Sequence, residues 1–172
     1  GAMNSGKSTA LMQVAHNYEE QGMRVLILKP KVDTKGSGDL VSRLGVRRPA
    51  DLLVPPDMDL VEAVRAASSE GRPLACVLCD ESQFLTAEQA EQLFMVTVEL
   101  NIPVICYGLR SDFSLKGFPG STRLLELDNA FHRRAFELCG MEHHFDHMLA
   151  SLQHVERIRK FSLQTNENKA VC

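Results

Sequence analysis

The first eight residues have the types and spacing needed to grip a phosphate tail. Gly1, Ala2, Met3, Asn4, Ser5, Gly6, Lys7 and Ser8 satisfy the pattern G-x-x-x-x-G-K-[ST]. Glycines at these positions allow backbone angles that aim consecutive N–H groups inward, and a helix that follows adds the positive end of its dipole. Lys7 then supplies a point charge to the outer phosphates of ATP or a similar nucleotide, and the Ser8 hydroxyl is a ligand for Mg²⁺. A glycine-rich turn with an exposed lysine would fit the same letters. This one opens a predicted helix, which is the context the chemistry requires.

A second constellation lies at Asp80 and Glu81. Both follow a short apolar run, so Asp80 falls at the C-terminal end of a predicted strand, where open α/β sheets bind ligands. There it can hold Mg²⁺, directly or through water. Glu81 points differently and can act as a base toward an acceptor hydroxyl. Acidic residues also end strands simply to meet solvent, but a phosphate cradle and a magnesium carboxylate need each other.

The elements that must position these groups are legible from periodicity. Residues 7–20 place Leu11, Val14, Ala15 and Tyr18 at helical spacing, and Gly22 stops the helix. Residues 25–28 and 74–79 are continuous apolar runs that suit buried parallel strands, as is 103–107, with Gly108 at its end. Residues 58–69 and 86–100 read as helices, the latter with Thr86 as N-cap. Residues 31–56 carry turn formers without a clear period and read as loop-rich. Phe145, Met148, Leu149, Leu152, Val155 and Ile158 predict a further helix over about 142–160, before a polar tail. Apolar strands alternating with amphipathic helices imply an α/β fold with a parallel sheet. A phosphate cradle of this kind ordinarily follows a central strand, which is expected upstream of Gly1.

Composition sets the outer bounds. The chain has 172 residues, 44% hydrophobic and 24% charged, with a net charge of −3. No basic surplus argues for nucleic acid as a partner. No apolar run approaches the roughly 18 residues that span a membrane. The cysteines Cys76, Cys79, Cys106, Cys139 and Cys172 are odd in number and lack framework spacing. They read as thiols of a reducing compartment, and the localisation expected is cytoplasmic.

At Asp80-Glu81-Ser82-Gln83-Phe84 the sequence resembles the type II thymidine kinases, a cytosolic family with a RecA-like P-loop core, and in particular its bacterial branch. The resemblance extends to the first eight residues, to Ser42-Arg43-Leu44-Gly45, and to Tyr107-Gly108-Leu109-Arg110-Ser111-Asp112-Phe113 with Phe118. It spans roughly residues 1–127, so the expected organisation is a P-loop kinase core over 1–127 and a small, atypical C-terminal segment over 128–172. It implies ATP-dependent phosphorylation of the thymidine 5′-hydroxyl, with Glu81 as catalytic base and Lys7 assisting. ATP would lie on residues 1–8 and 80–83, Ser82 and Gln83 included, with Mg²⁺ on Ser8 and Asp80. Met3, Phe84, Leu109, Phe113 and Phe118 match positions of the family's apolar nucleoside pocket. Arg43 matches a phosphate or sugar contact, and a surface salt bridge explains it equally well. A homotetramer is likewise implied only by the resemblance.

Three departures qualify this reading. Ser114 and Leu115 stand where bacterial members usually carry Arg-Gly. The family's zinc domain is represented only by Cys139, with Glu137 in place of its partner, and by Cys172. His143, His144, His147 and His154 could supply replacement ligands, although a solvated surface accounts for them more simply. A catalytically weak nucleotide-binding member with an assembly or regulatory role is therefore the alternative. A nucleic-acid-stimulated ATPase is a remote third, because the chain is too short for two motor domains.

Overall fold

The structure is a computed structural model, and it describes residues 6–31, 39–41, 45, 47–109, 117–141 and 143–150. Helix α1 (Lys7–Glu20) leads into strand β1 (Arg24–Pro30). Three short strands follow: β2 (Asp39–Val41), β3 (Arg47–Pro49) and β4 (Leu52–Val54). Helix α2 (Leu60–Ser69), strand β5 (Leu74–Cys79), the 3₁₀ turn η1 (Ser82–Phe84) and helix α3 (Ala87–Leu100) come next. Strand β6 (Val104–Cys106) and helix α4 (Pro119–Leu138) complete the order. The central sheet runs β4-β1-β5-β6 and every pair in it is parallel.

Alternate residues of the two middle strands face opposite sides, and both sides are covered. Leu26 and Leu28 of β1 and Val77 and Cys79 of β5 pack with Leu60 and Val64 of α2 and with Leu93 and Val96 of α3. Val25, Ile27, Cys76 and Leu78 face the other way, onto Leu11 and Ala15 of α1. Burial on two faces explains why these strands read as unbroken apolar runs rather than alternating ones. Cys76 and Cys79 are buried, Cys106 is half-buried and Cys139 is exposed. A hydrogen bond with Cys106, together with burial, holds the Cys79 thiol well above its ordinary range, and burial raises Cys76 as well. Such thiols are poor nucleophiles and behave as core residues.

Local chemistry sets the helix ends. Gly22 (φ +71) closes α1, with its N–H donating to Glu19 O at 2.8 Å and the Met23 N–H donating to Tyr18 O at 2.9 Å. Asp59 caps α2 by accepting from the Glu62 N–H. Thr86 caps α3 in a reciprocal box: its hydroxyl accepts from the Gln89 N–H at 3.1 Å, and Gln89 Oε1 accepts from the Thr86 N–H at 3.2 Å. The Gln89 amide also donates to Pro55 O at 2.8 Å, tying the segment after β4 to the start of α3.

Two regions differ from the sequence expectation. The stretch 31–56 is not wholly irregular: β2 and β3 form an antiparallel pair, and β4 joins the edge of the central sheet. Strands of three residues flanked by turn formers are too short to show a period. The twenty-residue helix α4 was also not foreseen. It fully buries only Gly120 and Ser121 at its start, although Leu124, Leu127, Phe131, Ala135 and Leu138 do recur at helical spacing. Pro119 at its first position was a further signal. The predicted helix over 142–160 is seen as helix at 143–150, and its remainder lies outside the described residues.

The chain divides into two compact units, Gly1–Leu127 and Asp128–Cys172. Within the second, Phe145 is buried against Phe136, with ring centroids 5.6 Å apart, and the Arg133 guanidinium lies 4.8 Å from the Phe145 ring centre. Cys139 and Gly140 end α4 in a Schellman turn, the Gly140 N–H donating to Glu137 O at 3.0 Å and the Met141 N–H to Phe136 O at 2.9 Å. No helix among the described residues is long and apolar enough to cross a membrane.

The capping box on α3 gives a direct check. Thr86→Ala leaves the Gln89 N–H without its acceptor and should lower stability by about 1 kcal/mol, read as a shifted midpoint in urea with an unchanged slope.

Candidate active site

The C-terminal edge of the sheet gathers the chemistry. Register pairs Leu28 with Cys79 and Cys79 with Cys106, so Asp80 and Tyr107 both lie one residue past that edge. Main-chain bonds carry the edge onward: the Asp80 N–H donates to Leu28 O at 3.0 Å, the Tyr107 N–H to Cys79 O at 2.8 Å, and the Ser82 N–H to Tyr107 O at 3.0 Å.

Helix α1 begins at the same edge. Gly6 is its N-cap in the left-handed region (φ 75, ψ 20), and among the described residues no side chain caps it. A helix start without a side-chain cap keeps its first-turn amides available to an anion. Lys7 and Ser8 are its first two residues. The Ser8 hydroxyl donates to Asp80 Oδ2 at 3.0 Å, across 72 residues of sequence. Asp80 is 3% exposed, and its other oxygen, Oδ1, accepts from the Glu81 N–H at 3.0 Å. A hydroxyl and a carboxylate oxygen held side by side are the hard donors that Mg²⁺ takes. Lys7 and Glu81 each stand one residue from this junction, so they share one end of the sheet.

Glu81 occupies the left-handed region (φ 49, ψ 37). For a side chain larger than Asn or Asp this is uncommon and costs roughly 1–2 kcal/mol. The surroundings enforce it. Asp80 Oδ1 takes the Glu81 N–H, Tyr107 O takes the next N–H, and Glu81 O accepts from the Phe84 N–H at 3.0 Å. A strained backbone at a half-buried carboxylate beside a magnesium-type donor pair is typical of a functional position.

The residues after Glu81 build a wall. Ser82 and Gln83, expected among the nucleotide contacts, are buried and bonded to the neighbouring main chain. The Ser82 hydroxyl donates to Tyr107 O at 3.2 Å, and Gln83 Oε1 accepts from the Leu109 N–H at 3.0 Å. Phe84 remains 43% exposed and meets Phe118 edge-to-face, with centroids 5.8 Å apart and the rings 74° from parallel. The wall is completed by Ser121, which sequence reasoning did not single out; its hydroxyl donates to Leu109 O at 2.5 Å. Its signal was a Pro-Gly-Ser run at a helix start. Exposed aromatic surface of this kind suits a flat apolar ring.

Of the remaining expected site residues, Gly1 to Ser5 (Met3 among them), Arg43, Phe113, Cys172 and His154 lie outside the described residues. Cys139 belongs to the Schellman turn, while Glu137 pairs with Arg134 at 3.0 Å and His143, His144 and His147 are exposed. Among the described residues no group of three or more His, Cys, Asp or Glu is arranged to hold a metal ion.

With this geometry in place, comparison with known proteins is decisive about class. The family model described as thymidine kinase matches residues 1–158, and the chain belongs to that family of phosphotransferases. It is 44% identical over 141 residues to the thymidine kinase of Enterobacteria phage T4, covering 81% of this chain and 72% of the relative. To the thymidine kinase of Ruegeria pomeroyi it is 44% identical over 140 residues, 80% of this chain and 70% of the relative. To that of Yersinia pestis it is 46% identical over 125 residues, 72% of this chain and 63% of the relative.

The strain at Glu81 can be measured apart from chemistry. Glu81→Gly relieves the left-handed penalty at the expense of a more flexible unfolded chain, for a net gain of about 0.5–1 kcal/mol. Chemical denaturation should show a higher midpoint than the parent.

Proposed function

We propose that the protein transfers the γ-phosphoryl group of ATP to the 5′-hydroxyl of thymidine, giving thymidine 5′-monophosphate and ADP. The observation that carries the proposal is the 3.0 Å bond from Ser8 Oγ to Asp80 Oδ2, with Glu81 next in the chain. Residues 1–8 and the open start of α1 receive the triphosphate, and Lys7 adds its charge at the outer phosphates. Ser8 and Asp80 have the right chemistry to hold Mg²⁺, which, when bound, neutralises charge on the phosphates. Glu81 accepts the proton of the 5′-hydroxyl as that oxygen attacks phosphorus and the bond to ADP breaks. Phe84, Leu109 and Phe118 provide the apolar wall for the base, joined by Met3 and Phe113; Arg43 contacts phosphate or sugar. Such a site works mainly by positioning and charge stabilisation.

The same reading divides the chain into a kinase core over 1–127 and a C-terminal segment over 128–172. A cytoplasmic, homo-oligomeric protein whose partner is a small nucleoside, without nucleic acid, belongs with it. Zinc on Cys139 and Cys172 is no part of this reading.

The test is Glu81→Gln. Removal of a general base should lower kcat for thymidine by about 10²–10⁴-fold, while ATP binding by calorimetry stays within a few-fold of the parent. Full turnover in the variant, or no thymidine-dependent ADP release in the parent, defeats the proposal.

A further inference from the structure

Leu109 lies three residues past the end of β6, where the sheet no longer fixes the main chain. Side chains from two other elements fix it instead. Gln83 of η1 accepts from its N–H at 3.0 Å, and Ser121 of α4 donates to its carbonyl at 2.5 Å. Both of its backbone polar groups are thereby bonded. Ser82 holds Tyr107 O twice, through its own N–H at 3.0 Å and its hydroxyl at 3.2 Å.

The three segments meet main chain to main chain, and two glycines make that approach possible. A Cβ on Gly108 would lie 2.6 Å from Ser82 Oγ and 2.9 Å from Gln83 Oε1. A Cβ on Gly120 would lie 2.5 Å from Leu85 O and 3.0 Å from Ser82 O. Ser121 follows Gly120 directly and is 6% exposed, so its bond to Leu109 is shielded from water. Three residues earlier, Phe118 accepts the Thr122 N–H at 2.9 Å and meets Phe84. The Ser121 bond therefore ties together two parts of the apolar wall, Leu109 on one side and Phe118 on the other. The junction of Ser8 and Asp80 makes none of these contacts.

From this geometry we infer that Ser121 is a positioning residue for the nucleoside: it sets the separation of Leu109 and Phe118, and so the fit of the base, without touching the phosphates. The inference rests on the kinase reading and adds a specificity element that the phosphate and magnesium residues do not supply. Without the hydroxyl, the Leu109 carbonyl loses its partner and the wall is held from one side only. Nucleoside affinity should fall while the triphosphate end is unaffected.

The experiment is steady-state kinetics of the purified protein with thymidine and ATP varied separately. Ser121→Ala should raise KM for thymidine roughly tenfold or more, the effect of one lost restraint on ground-state binding. KM for ATP and kcat should stay within about threefold. Ser121→Thr, which keeps the hydroxyl, should restore KM, and Ser121→Cys, with its weaker donor, should fall between. If Ser121→Ala does not fold, the Cys variant decides by the same split. A KM for thymidine within about twofold of the parent in the Ala variant, or, where Ala does not fold, indistinguishable from the parent in the Cys variant, overturns the assignment while leaving the kinase reading intact. So does an equal loss in kcat and in both KM values. A parent protein without thymidine-dependent turnover overturns both.

Discussion

One contact organises the molecule: the hydroxyl at the start of α1 donating to the carboxylate at the end of β5. It joins residues 72 apart in sequence, and Lys7 and Glu81 stand next to its two ends. Its existence depends on the parallel sheet. Strands that run the same way deliver their C-terminal ends to one edge, and a helix starting at that edge presents the positive end of its dipole there. Cys79 pairs with Leu28 on one side and Cys106 on the other, so the edge at which Asp80 sits is determined by core packing two layers deep.

The segment after that carboxylate shows how densely function can be written. Asp80 bonds Ser8 through one oxygen and the Glu81 N–H through the other, and Glu81 sits on a strained backbone. Ser82 and Gln83 then grip the main chain of 107–109, and Phe84 presents a ring. A five-residue run thus links the Ser8–Asp80 junction to the exposed ring of Phe84. The left-handed turn at Glu81 swings the chain out of strand geometry at once, so that the consecutive residues Ser82 and Gln83 both reach the 107–109 main chain.

Much of this was readable in advance. Strand β5 and helices α1 and α3 matched their apolar runs and caps closely, because double-sided burial and capping chemistry leave plain marks in composition. Asp80 at a strand end and Ser8 at a helix start could be placed together from their types. Other features left no such mark. The strands β2, β3 and β4 are three residues each and borrow their pairing from distant neighbours. Helix α4 does carry a period in Leu124, Leu127, Phe131, Ala135 and Leu138, but Phe131 and Leu138 are exposed, so the stripe does not mark a core face. The left-handed conformation of Glu81 is dictated by tertiary bonds, since the residue itself prefers otherwise. Gln83 matched a nucleotide contact by resemblance, and the bond from the Leu109 N–H to its amide oxygen is visible only in the fold. Cys139 and Gly140 were legible as half of a metal pair by resemblance, while their place in a Schellman turn emerges only in three dimensions.

The account stands on the Ser8–Asp80 junction being a magnesium–nucleotide site, and calorimetric titration of the parent protein with ATP, with and without Mg²⁺, addresses that claim most directly. Binding that strengthens at least tenfold with Mg²⁺, or about 1.4 kcal/mol, together with loss of that increment when Asp80 is replaced by Asn, is the outcome this structure requires. Affinity for ATP that is indifferent to Mg²⁺ in the parent would contradict it.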